Sequence, residues 1–300
     1  GAMFALTDSD GKPITRAYAE TRARNERLTE IVQTKGQSET NPGVAPNDEF
    51  AGFELWTKPV AGPGTVKVLP TNYVRNAFEN GLALEKSIGA NPFKYGVVGG
   101  GDIHTAIVSH EEFAFTGEHN LKSSTPHARL LEGVPGEPSK IEQGSAGLSC
   151  VWAEENTREA IYDAMARKET WATSGTRIVV RVFGGFDFGN AKPGDREWAR
   201  VGYRNGVPMG GDLKPDARKS APRLMIAASK DPNSGNLDRI QVIKGWVDAA
   251  GKTHDRIYDV AWSGNRRIGS DGKLPAVGNS VDVKNASYTN TIGSPELATV

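Results

Sequence analysis

The pattern of apolar residues changes once along this sequence, near residue 177, and that change constrains the fold more than any other feature. Before it, residues 156–168 have a helical period, with Ile161, Ala164 and Met165 on one face. After it, β-type runs alternate with turns rich in Gly, Asn, Asp and Pro; the runs are residues 177–183, 223–229, 237–246, 255–262 and 281–292. This order predicts an α/β part followed by an all-β part, with domains at residues 1–177 and 178–300.

The first part alternates helical and strand-like segments. Helices are predicted over residues 13–28, 48–56, 71–84 and 156–168, and short strands over 28–34 and 95–98. Asn156 and Glu159 resemble a capping box at the start of the last helix. Residues 109–147 have little periodicity, and an irregular segment of that length is typical of a functional region.

Charge and composition exclude some classes of protein. Thirty-six basic residues balance thirty-six acidic ones, so no net field attracts nucleic acid or an anionic membrane, and nucleic-acid binding is disfavoured. The sequence has no run of about 18 apolar residues, so no membrane span is predicted. Cys150 is the only cysteine; it cannot form an internal disulfide, and we interpret it as a buried small hydrophobic residue.

Both ends of the chain indicate a piece of a larger protein. Gly1-Ala2-Met3 looks like the remainder of a cleaved tag, and no basic region followed by an apolar core marks a signal peptide. The chain ends within an apolar run, residues 297–300, without a stop signal. We therefore expect that the natural protein extends beyond this sequence.

Asp102 and His104 form the sharpest local feature. They follow the predicted strand 95–98 and three glycines, residues 99–101. Side chains two residues apart on an extended backbone point the same way, so both could bind one ion. Carboxylate oxygen and imidazole nitrogen are ligands for zinc, manganese or iron. The alternative is an ordinary turn in which Asp102 accepts bonds from backbone amides and His104 caps a loop.

Glu39 and three loop histidines are further candidates. Glu39 lies beyond the end of a short strand, where it could bridge metals or act as a base; an isolated Glu in a polar loop is more often solvated. His119 lies in the irregular segment with His110 and His127, and each could approach Asp102. No phosphate-binding loop, dinucleotide fingerprint or serine-nucleophile elbow is present.

The Asp102-x-His104 pattern resembles the last metal motif of the PHP (polymerase and histidinol phosphatase) superfamily of metal-dependent phosphoesterases, whose fold is a distorted β/α barrel. Longer strings look like one large bacterial branch of it, a family filed as a domain of unknown function. These strings are residues 35–39, 46–51, 151–160, 172–178, 237–246 and 258–263. The resemblance implies part of a PHP-like barrel followed by a β-sandwich-like module, and relatives that look exported favour export or the periplasm.

The resemblance also implies a metal site to which this chain supplies only a part. PHP proteins begin with a His-x-His motif, whereas no histidine precedes His104 here. Asp102 and His104 carry over as metal ligands, and Glu39 only as a nearby position. Arg177 would face the phosphate of a small phosphoester substrate, or else form an ion pair at the domain junction.

Two functions follow as expectations. In the first, the intact protein hydrolyses a phosphoester by metal-activated water, and this chain alone is inactive. In the second, the protein is a binding protein in which the β module recognises a glycan, a lipid or a protein partner. Kinship of fold does not choose between them.

Overall fold

The computed structural model describes residues 3–58, 64–104, 143–144, 146–216 and 221–300. The chain divides into two compact units: Gly1–Thr176 with Gly245–Asp255, and Arg177–Lys244 with Arg256–Val300. The division near residue 177 lies where the apolar period changes. The segment Gly245–Asp255 groups with the first unit, although the sequence interpretation placed it in the second part. Lys86 explains this grouping, because its ammonium donates to the carbonyl oxygens of Asp248 and, at 2.6 Å, of Ala249.

The described residues of the first unit include three α-helices: α1 Arg16–Asn25, α2 Val74–Ile88 and α3 Arg158–Ala166. The hydroxyl of Thr15 caps α1, and α2 ends at Gly89 in the left-handed conformation that glycine adopts without strain. At α3 the capping residue is Thr157, whose hydroxyl accepts from the amide of Ala160 at 3.3 Å. The predicted capping pair was therefore misplaced, and Asn156 does not cap the helix.

The predicted helix over residues 48–56 is wrong, because residues 49–54 form turns. Its supposed apolar side is open to solvent, with Phe50 45% and Phe53 54% exposed. Glu54 adopts a left-handed conformation (φ 44°), and its carbonyl oxygen accepts from the amide of Gln37 at 2.9 Å. This bond turns the chain toward a strand edge instead of continuing a helix.

A three-stranded sheet of order β2-β1-β3 carries the candidate site. Its strands are β1 Leu28–Gln33, β2 Gly36–Gln37 and β3 Gly96–Gly99. Strands β1 and β3 are parallel, with Glu30 opposite Val98, and α2 lies between them in the sequence. This β-α-β arrangement brings the carboxyl ends of two strands to one edge, where α/β proteins usually bind ligands.

The core of the first unit lies around α2 and the start of β3. Its buried members are mainly aromatic or small apolar side chains: Phe4, Ile14, Ala19, Val74, Ala77, Ala90, Phe93 and Tyr95. Phe4 meets Phe93 edge-on with ring centroids 6.0 Å apart. Beside the three-stranded sheet, β4 Leu148–Val151 pairs antiparallel with β5 Thr170–Thr173. The described strands form small sheets and no closed barrel, so the PHP-like barrel stays a prediction.

The second unit contains a four-stranded antiparallel sheet of order β13-β8-β6-β7. Its strands are β6 Val179–Gly185, β7 Gly206–Pro208, β8 Arg223–Ser229 and β13 Glu296–Thr299. Strands β9 Arg239–Val247 and β10 Thr253–Trp262 form a two-stranded sheet, as do β11 Val281–Asp282 and β12 Ser287–Tyr288. The β-sandwich-like arrangement stays a prediction.

A short helix, α4 Trp198–Asn205, packs on the four-stranded sheet and was missed in the sequence. Phe183 of β6 meets Trp198 and Tyr203 edge-on, with centroids 5.7 and 4.9 Å apart. A Cβ added at Gly202 would lie 2.4 Å from the Phe183 ring. Glycine therefore permits the close approach of α4 to the sheet, although glycine weakens helical propensity and hides the helix from a periodicity analysis.

Two of the predicted Gly-rich and Asp-rich turns, residues 248–251 and 270–272, form hairpin-like loops. The amide of Asp248 donates to Lys252 at 2.9 Å, and Gly251 has φ 88°. In the second loop, the amide of Gly269 donates to the carbonyl oxygen of Lys273 at 2.9 Å, and Gly272 has φ 77°. A positive φ at the last residue before the lysine favours glycine there. Among the described residues, no helix has the length and apolar character needed to cross a membrane.

Candidate metal-binding edge of the first unit

Asp102 lies three residues beyond β3, at the edge where the parallel strands end. The amide of Gly100 extends the pairing by donating to the carbonyl oxygen of Val32 at 2.8 Å. Asp102 then adopts a left-handed conformation (φ 47°), which a short polar side chain tolerates better than most. The extended backbone assumed from the Asp-x-His spacing is therefore wrong at Asp102, which turns out of the strand direction.

The carboxylate of Asp102 contacts a cation and an imidazole. The ammonium of Lys35, two residues beyond β1, pairs with Oδ2 of Asp102. Nε2 of His104 lies 2.9 Å from Oδ1. The Lys35 side chain is 13% exposed, that of Asp102 33% and that of His104 51%. Asp102 and His104 thus lie side by side with polar atoms open to solvent.

Glu30 completes the group, which we call the Asp102 cluster (Glu30, Lys35, Asp102 and His104). A Cβ added at Gly100 would lie 2.0 Å from Oε2 of Glu30, so the Glu30 side chain occupies the space that glycine leaves open. While His104 is neutral, two carboxylates face one ammonium, and the cluster carries one excess negative charge. A negative, half-exposed edge of this kind attracts cations.

The pKa values of Asp102 and Glu30 are shifted in opposite directions. Burial works to raise the pKa of Asp102, but hydrogen bonds from Lys35 and His104 and their charges outweigh it, so this pKa is lowered. The pKa of Glu30 is raised, first by desolvation and then by the charge of Asp102, against the opposing effects of Gln33 and Lys35. Asp102 is therefore the carboxylate that is held ionised, whereas the ionised form of Glu30 is disfavoured.

The donor types of the cluster fit a divalent cation, but their number is small. Carboxylate oxygen and imidazole nitrogen suit zinc, manganese or iron, and the Lys35 ammonium already places positive charge against Asp102. Within the described ranges, however, no three His, Cys, Asp or Glu side chains are gathered in a way that would hold a metal ion. Asp102 and His104 can thus supply part of a metal site, and further donors are needed to complete it.

Comparison with known protein families identifies the family to which this chain belongs. The family described as "Protein of unknown function (DUF3604)" matches residues 1–300. The chain belongs to the DUF3604 family. No curated protein and no solved structure matches the chain. The resemblance to a family of unknown function is thereby supported, and membership of the PHP superfamily remains part of the proposal below.

In this DUF3604 chain, Glu39 is committed to an ion pair at the start of α2. Its Oε1 lies 2.6 Å from Nη2 of Arg75, whose Nη1 lies 2.6 Å from Oδ2 of Asp48. The Arg75 side chain is 10% exposed and that of Asp48 5%. Burial works to lower the pKa of Arg75, but its bonds to Glu39 and Asp48 outweigh burial and raise it. These contacts give Glu39 a structural role in holding Arg75.

The remaining residues singled out in the sequence of this DUF3604 chain are three histidines, Arg177 and Cys150. His110, His119 and His127 lie outside the described residues. Arg177 belongs to the second unit, where its backbone amide donates to Oδ2 of Asp231 at 2.7 Å and its side chain is exposed. Cys150 lies half-buried in β4, and burial raises the pKa of its thiol.

Sequence reasoning missed Lys35 and Glu30, the two cluster residues contributed by β1 and its end. A signal for Lys35 was present, since it follows a predicted strand as Asp102 follows another, and the helix predicted over residues 71–84 between the two strands is typical of a parallel pair. Glu30 gave no comparable signal. Its place beside Asp102 depends on the register of β1 and β3 and on the absence of a side chain at Gly100.

Proposed function

We propose that this chain supplies part of the metal site of a phosphoester hydrolase. The observation that supports the proposal is the pairing of Asp102 with His104, at 2.9 Å, beside the carboxyl ends of two parallel strands. Residues that bind metals and substrates gather at such ends in α/β folds. The resemblance of the Asp-x-His pattern to the PHP metallophosphoesterases supplies the reaction class.

In this proposal Asp102 and His104 hold the metal, which is zinc, manganese or iron. Asp102 is suited to the role because its lowered pKa keeps the carboxylate ionised at neutral pH. His104 ligates through a neutral imidazole, and its half-exposed ring can turn toward an ion at the edge of the sheet. A bound metal would lower the pKa of a water ligand toward neutrality and stabilise charge developing on the phosphoryl oxygens.

The small number of metal-binding side chains in the described residues means that, in this proposal, the chain supplies only part of the metal site. A catalytic metal usually has about three protein ligands besides water, whereas the described residues hold no group of three His, Cys, Asp or Glu side chains that could bind one ion. We therefore propose that further ligands come from outside the described residues. The 300-residue chain by itself is expected to have no substantial phosphoesterase activity.

The test uses the natural full-length protein in which this chain occurs. Its metal content is measured by mass spectrometry, and hydrolysis of p-nitrophenyl phosphate and bis(p-nitrophenyl) phosphate is assayed with added Mn²⁺, Zn²⁺ or Fe²⁺. Metal-dependent turnover that disappears in both Asp102→Ala and His104→Ala is the expected result. Full turnover in either variant would remove the pair from the site, and no bound metal in any form would end the proposal.

The alternative is a binding protein, and one observation in the second unit favours it. The ring of Tyr258 is 37% exposed on β10, and the guanidinium of Arg256 lies 4.9 Å from its centroid. An exposed aromatic ring beside a cation is a surface on which a sugar ring can stack. Binding of the chain to an immobilised glycan panel, lost in Tyr258→Ala and retained in Asp102→Ala, would favour this function over hydrolysis.

A further inference from the structure

Strands β9 and β10 carry different kinds of residue on their two faces. Gln241 and Asp259 share one face, because Nε2 of Gln241 lies 3.0 Å from Oδ1 of Asp259. Since side chains alternate along a strand, the even-numbered residues Lys244, Arg256 and Tyr258 point to the opposite face. None of the even-numbered residues of these two strands is acidic. The two strands therefore place positive charge beside an aromatic ring on this face, and no carboxylate.

Arg256 and Tyr258 form an exposed pair on this face. Tyr258 is 37% exposed, Arg256 is exposed as well, and the guanidinium carbon lies 4.9 Å from the centroid of the ring. The ring attracts the cation and limits the orientations of the arginine side chain. Within the described part of the chain, the Arg256 guanidinium makes no ion pair. Its positive charge is therefore available to a ligand.

Contacts on the opposite face hold the backbone of Tyr258 in place. The next residue, Asp259, has a side chain that is 10% exposed and bonds Gln241. Its Oδ1 also lies 3.5 Å from Nη1 of Arg239, whose side chain is only 4% exposed. Binding groups that stand on a strand supported in this way are placed more precisely than groups on a loop. The ring thus loses little freedom when a ligand binds, and such losses are a main cost of binding at a surface.

These features fit a sugar ring that carries a carboxylate. The apolar C–H face of a sugar can pack on the tyrosine ring, and the planar guanidinium fork matches the two oxygens of a carboxylate. Residues two apart on a strand stand about 7 Å from each other, so one uronic acid unit can contact both Tyr258 and Arg256. A nucleic acid fits less well, because its phosphates need a longer basic track, and the 36 basic residues of the chain are balanced by 36 acidic ones.

We propose that the surface formed by Lys244, Arg256 and Tyr258, which we call the Arg256 face, binds an acidic glycan built of uronic acid units. Tyr258 packs on the sugar ring, Arg256 bonds the carboxylate, and Lys244 adds positive charge on the same face. The inference goes beyond the hydrolase proposal and needs no metal at Asp102. It gives the binding alternative a defined class of ligand.

The first experiment measures binding of the purified 300-residue chain to polygalacturonate and to its methyl ester, which has the same backbone without the charge. EDTA is present throughout, because polyuronates themselves bind divalent cations. Wild type should prefer the charged polymer, and Arg256→Gln should weaken its binding about tenfold and remove the preference. Tyr258→Leu should weaken binding to both polymers, because packing on the ring does not need the carboxylate. Arg267→Gln and Tyr162→Leu are matched controls, since both residues are exposed.

A second experiment uses wild type alone and so does not depend on a variant folding. Modification of arginine side chains by phenylglyoxal is followed by peptide mass spectrometry, with and without a saturating galacturonate oligosaccharide. If the carboxylate bonds the Arg256 guanidinium, Arg256 should react several-fold more slowly when the oligosaccharide is present. Arg267 should react at an unchanged rate.

The outcomes separate this inference from the proposed function. A preference for polygalacturonate that disappears in Arg256→Gln, together with protection of Arg256 in wild type, supports the Arg256 face as the site. No binding to polygalacturonate, or equal binding by wild type, Arg256→Gln and Tyr258→Leu, overturns it. Equal binding to dextran sulfate and to single-stranded oligothymidylate would show a general attraction to polyanions and overturn the assignment to uronic acids. Asp102→Ala should bind polygalacturonate as wild type does, so neither proposal fails with the other.

Discussion

The Asp102 cluster of the first unit and a charged network of the second unit use similar residue types in different ways. The second group, which we call the Arg266 network, consists of Asp238, Arg239, Asp259 and Arg266. Its two arginine side chains are 4% and 13% exposed, whereas the His104 side chain of the Asp102 cluster is 51% exposed. The Lys35 and Asp102 side chains, 13% and 33% exposed, are about as covered as those of Arg266 and Asp238, at 13% and 30%, so the two groups differ in exposure mainly at His104.

The partners of the positive charges differ as well. Arg266 donates to the main-chain carbonyl oxygens of Asp238 and Pro275, each at 2.9 Å, and of Ser263 at 3.1 Å, and it lies 2.6 Å from Oδ1 of Asp238. A guanidinium that bonds several fixed carbonyls is held in one geometry, whereas a lysine ammonium is a compact charge on a flexible stem. The comparison indicates that the Arg266 network holds the fold, whereas the Asp102 cluster places a carboxylate paired with Lys35 and His104 at the edge of a sheet.

The largest expected effect is the loss of stability in Arg266→Ala. The substitution leaves the three carbonyl oxygens without their donor and the Asp238 carboxylate without one of its two positively charged neighbours, and such losses destabilise by about 3 kcal/mol. Urea unfolding followed by tryptophan fluorescence measures it. The neighbouring Arg267→Ala is the control, because that residue is exposed and should change the free energy of unfolding little. Equal effects of the two substitutions would show that the network does not hold the second unit.

A smaller effect is expected at the Arg75 ion pairs, and it tests the structural role of Glu39. Asp48 is 5% exposed and also accepts from the amide of Phe50 at 2.8 Å. Asp48→Asn should therefore destabilise the chain by about 2 kcal/mol. Glu39→Gln should cost less than about 1 kcal/mol, because the Glu39 side chain is 44% exposed and its pair with Arg75 is screened by solvent.

Metal binding decides whether Glu39 also belongs to the site. The structural role predicts that Glu39→Gln and Asp48→Asn leave the Mn²⁺ affinity of the chain unchanged, while Asp102→Asn lowers it. A loss of affinity in Glu39→Gln, with Asp48→Asn unaffected, would place Glu39 among the ligands and contradict the separation drawn from its contacts with Arg75.

Local pattern predicted the parts of the molecule that depend on near neighbours in the chain. The residues of β1 and β3, the Gly turns at Gly251 and Gly272, and the proximity of Asp102 to His104 follow from periodicity, turn chemistry or spacing. The predicted cause of the proximity of Asp102 to His104 was an extended backbone, whereas the backbone of Asp102 is left-handed. Spacing alone does not specify φ after a run of glycines.

Features that depend on distant neighbours could not be predicted in the same way. Lys35 meets Asp102 across 67 positions because β1 and β3 are parallel neighbours. Helix α4 has Gly202 at its centre, where helical propensity is poor and only the ring of Phe183 explains the residue. Phe50 and Phe53 suggested a buried helical face, but Glu54 turns the chain away from it.

The Asp102 cluster should show a modest dependence of stability on pH through Asp102. Because its pKa is lowered in the folded protein, ionised Asp102 contributes stability above the ordinary pKa of aspartate, and that contribution is lost as the pH falls through the lowered value. Asp102→Asn should thus cost less than about 1 kcal/mol at pH 7, since the group is a third exposed. The difference from wild type should shrink below the usual aspartate range.

Urea titrations of wild type and Asp102→Asn at several pH values measure this dependence. Asp10→Asn is the control, because Asp10 is 71% exposed and lies 3.9 Å from Lys12. A deficit of Asp102→Asn that stays constant from neutral to acidic pH would mean that the carboxylate acts through packing rather than through its charge.

The smallest effect on stability is expected for Glu30→Gln, and its sign is opposite to that of Asp102→Asn. The pKa of Glu30 is raised by desolvation and by the charge of Asp102, so its folded form favours the proton. Such a group stabilises the fold below the ordinary pKa of glutamate and loses that contribution as the pH rises through the raised value. Glu30→Gln should therefore gain a little stability at pH 7, less than about 1 kcal/mol because the residue is exposed.

The gain should disappear in acid, where wild-type Glu30 is itself protonated, and Glu155→Gln, on an exposed turn, should show no such change. The attraction between Glu30 and Lys35 opposes the gain, so the sign of the effect decides which influence is larger. If Glu30→Gln loses stability at pH 7, the attraction between Glu30 and Lys35 outweighs desolvation. If it gains stability, the desolvation of Glu30 outweighs its attraction to Lys35.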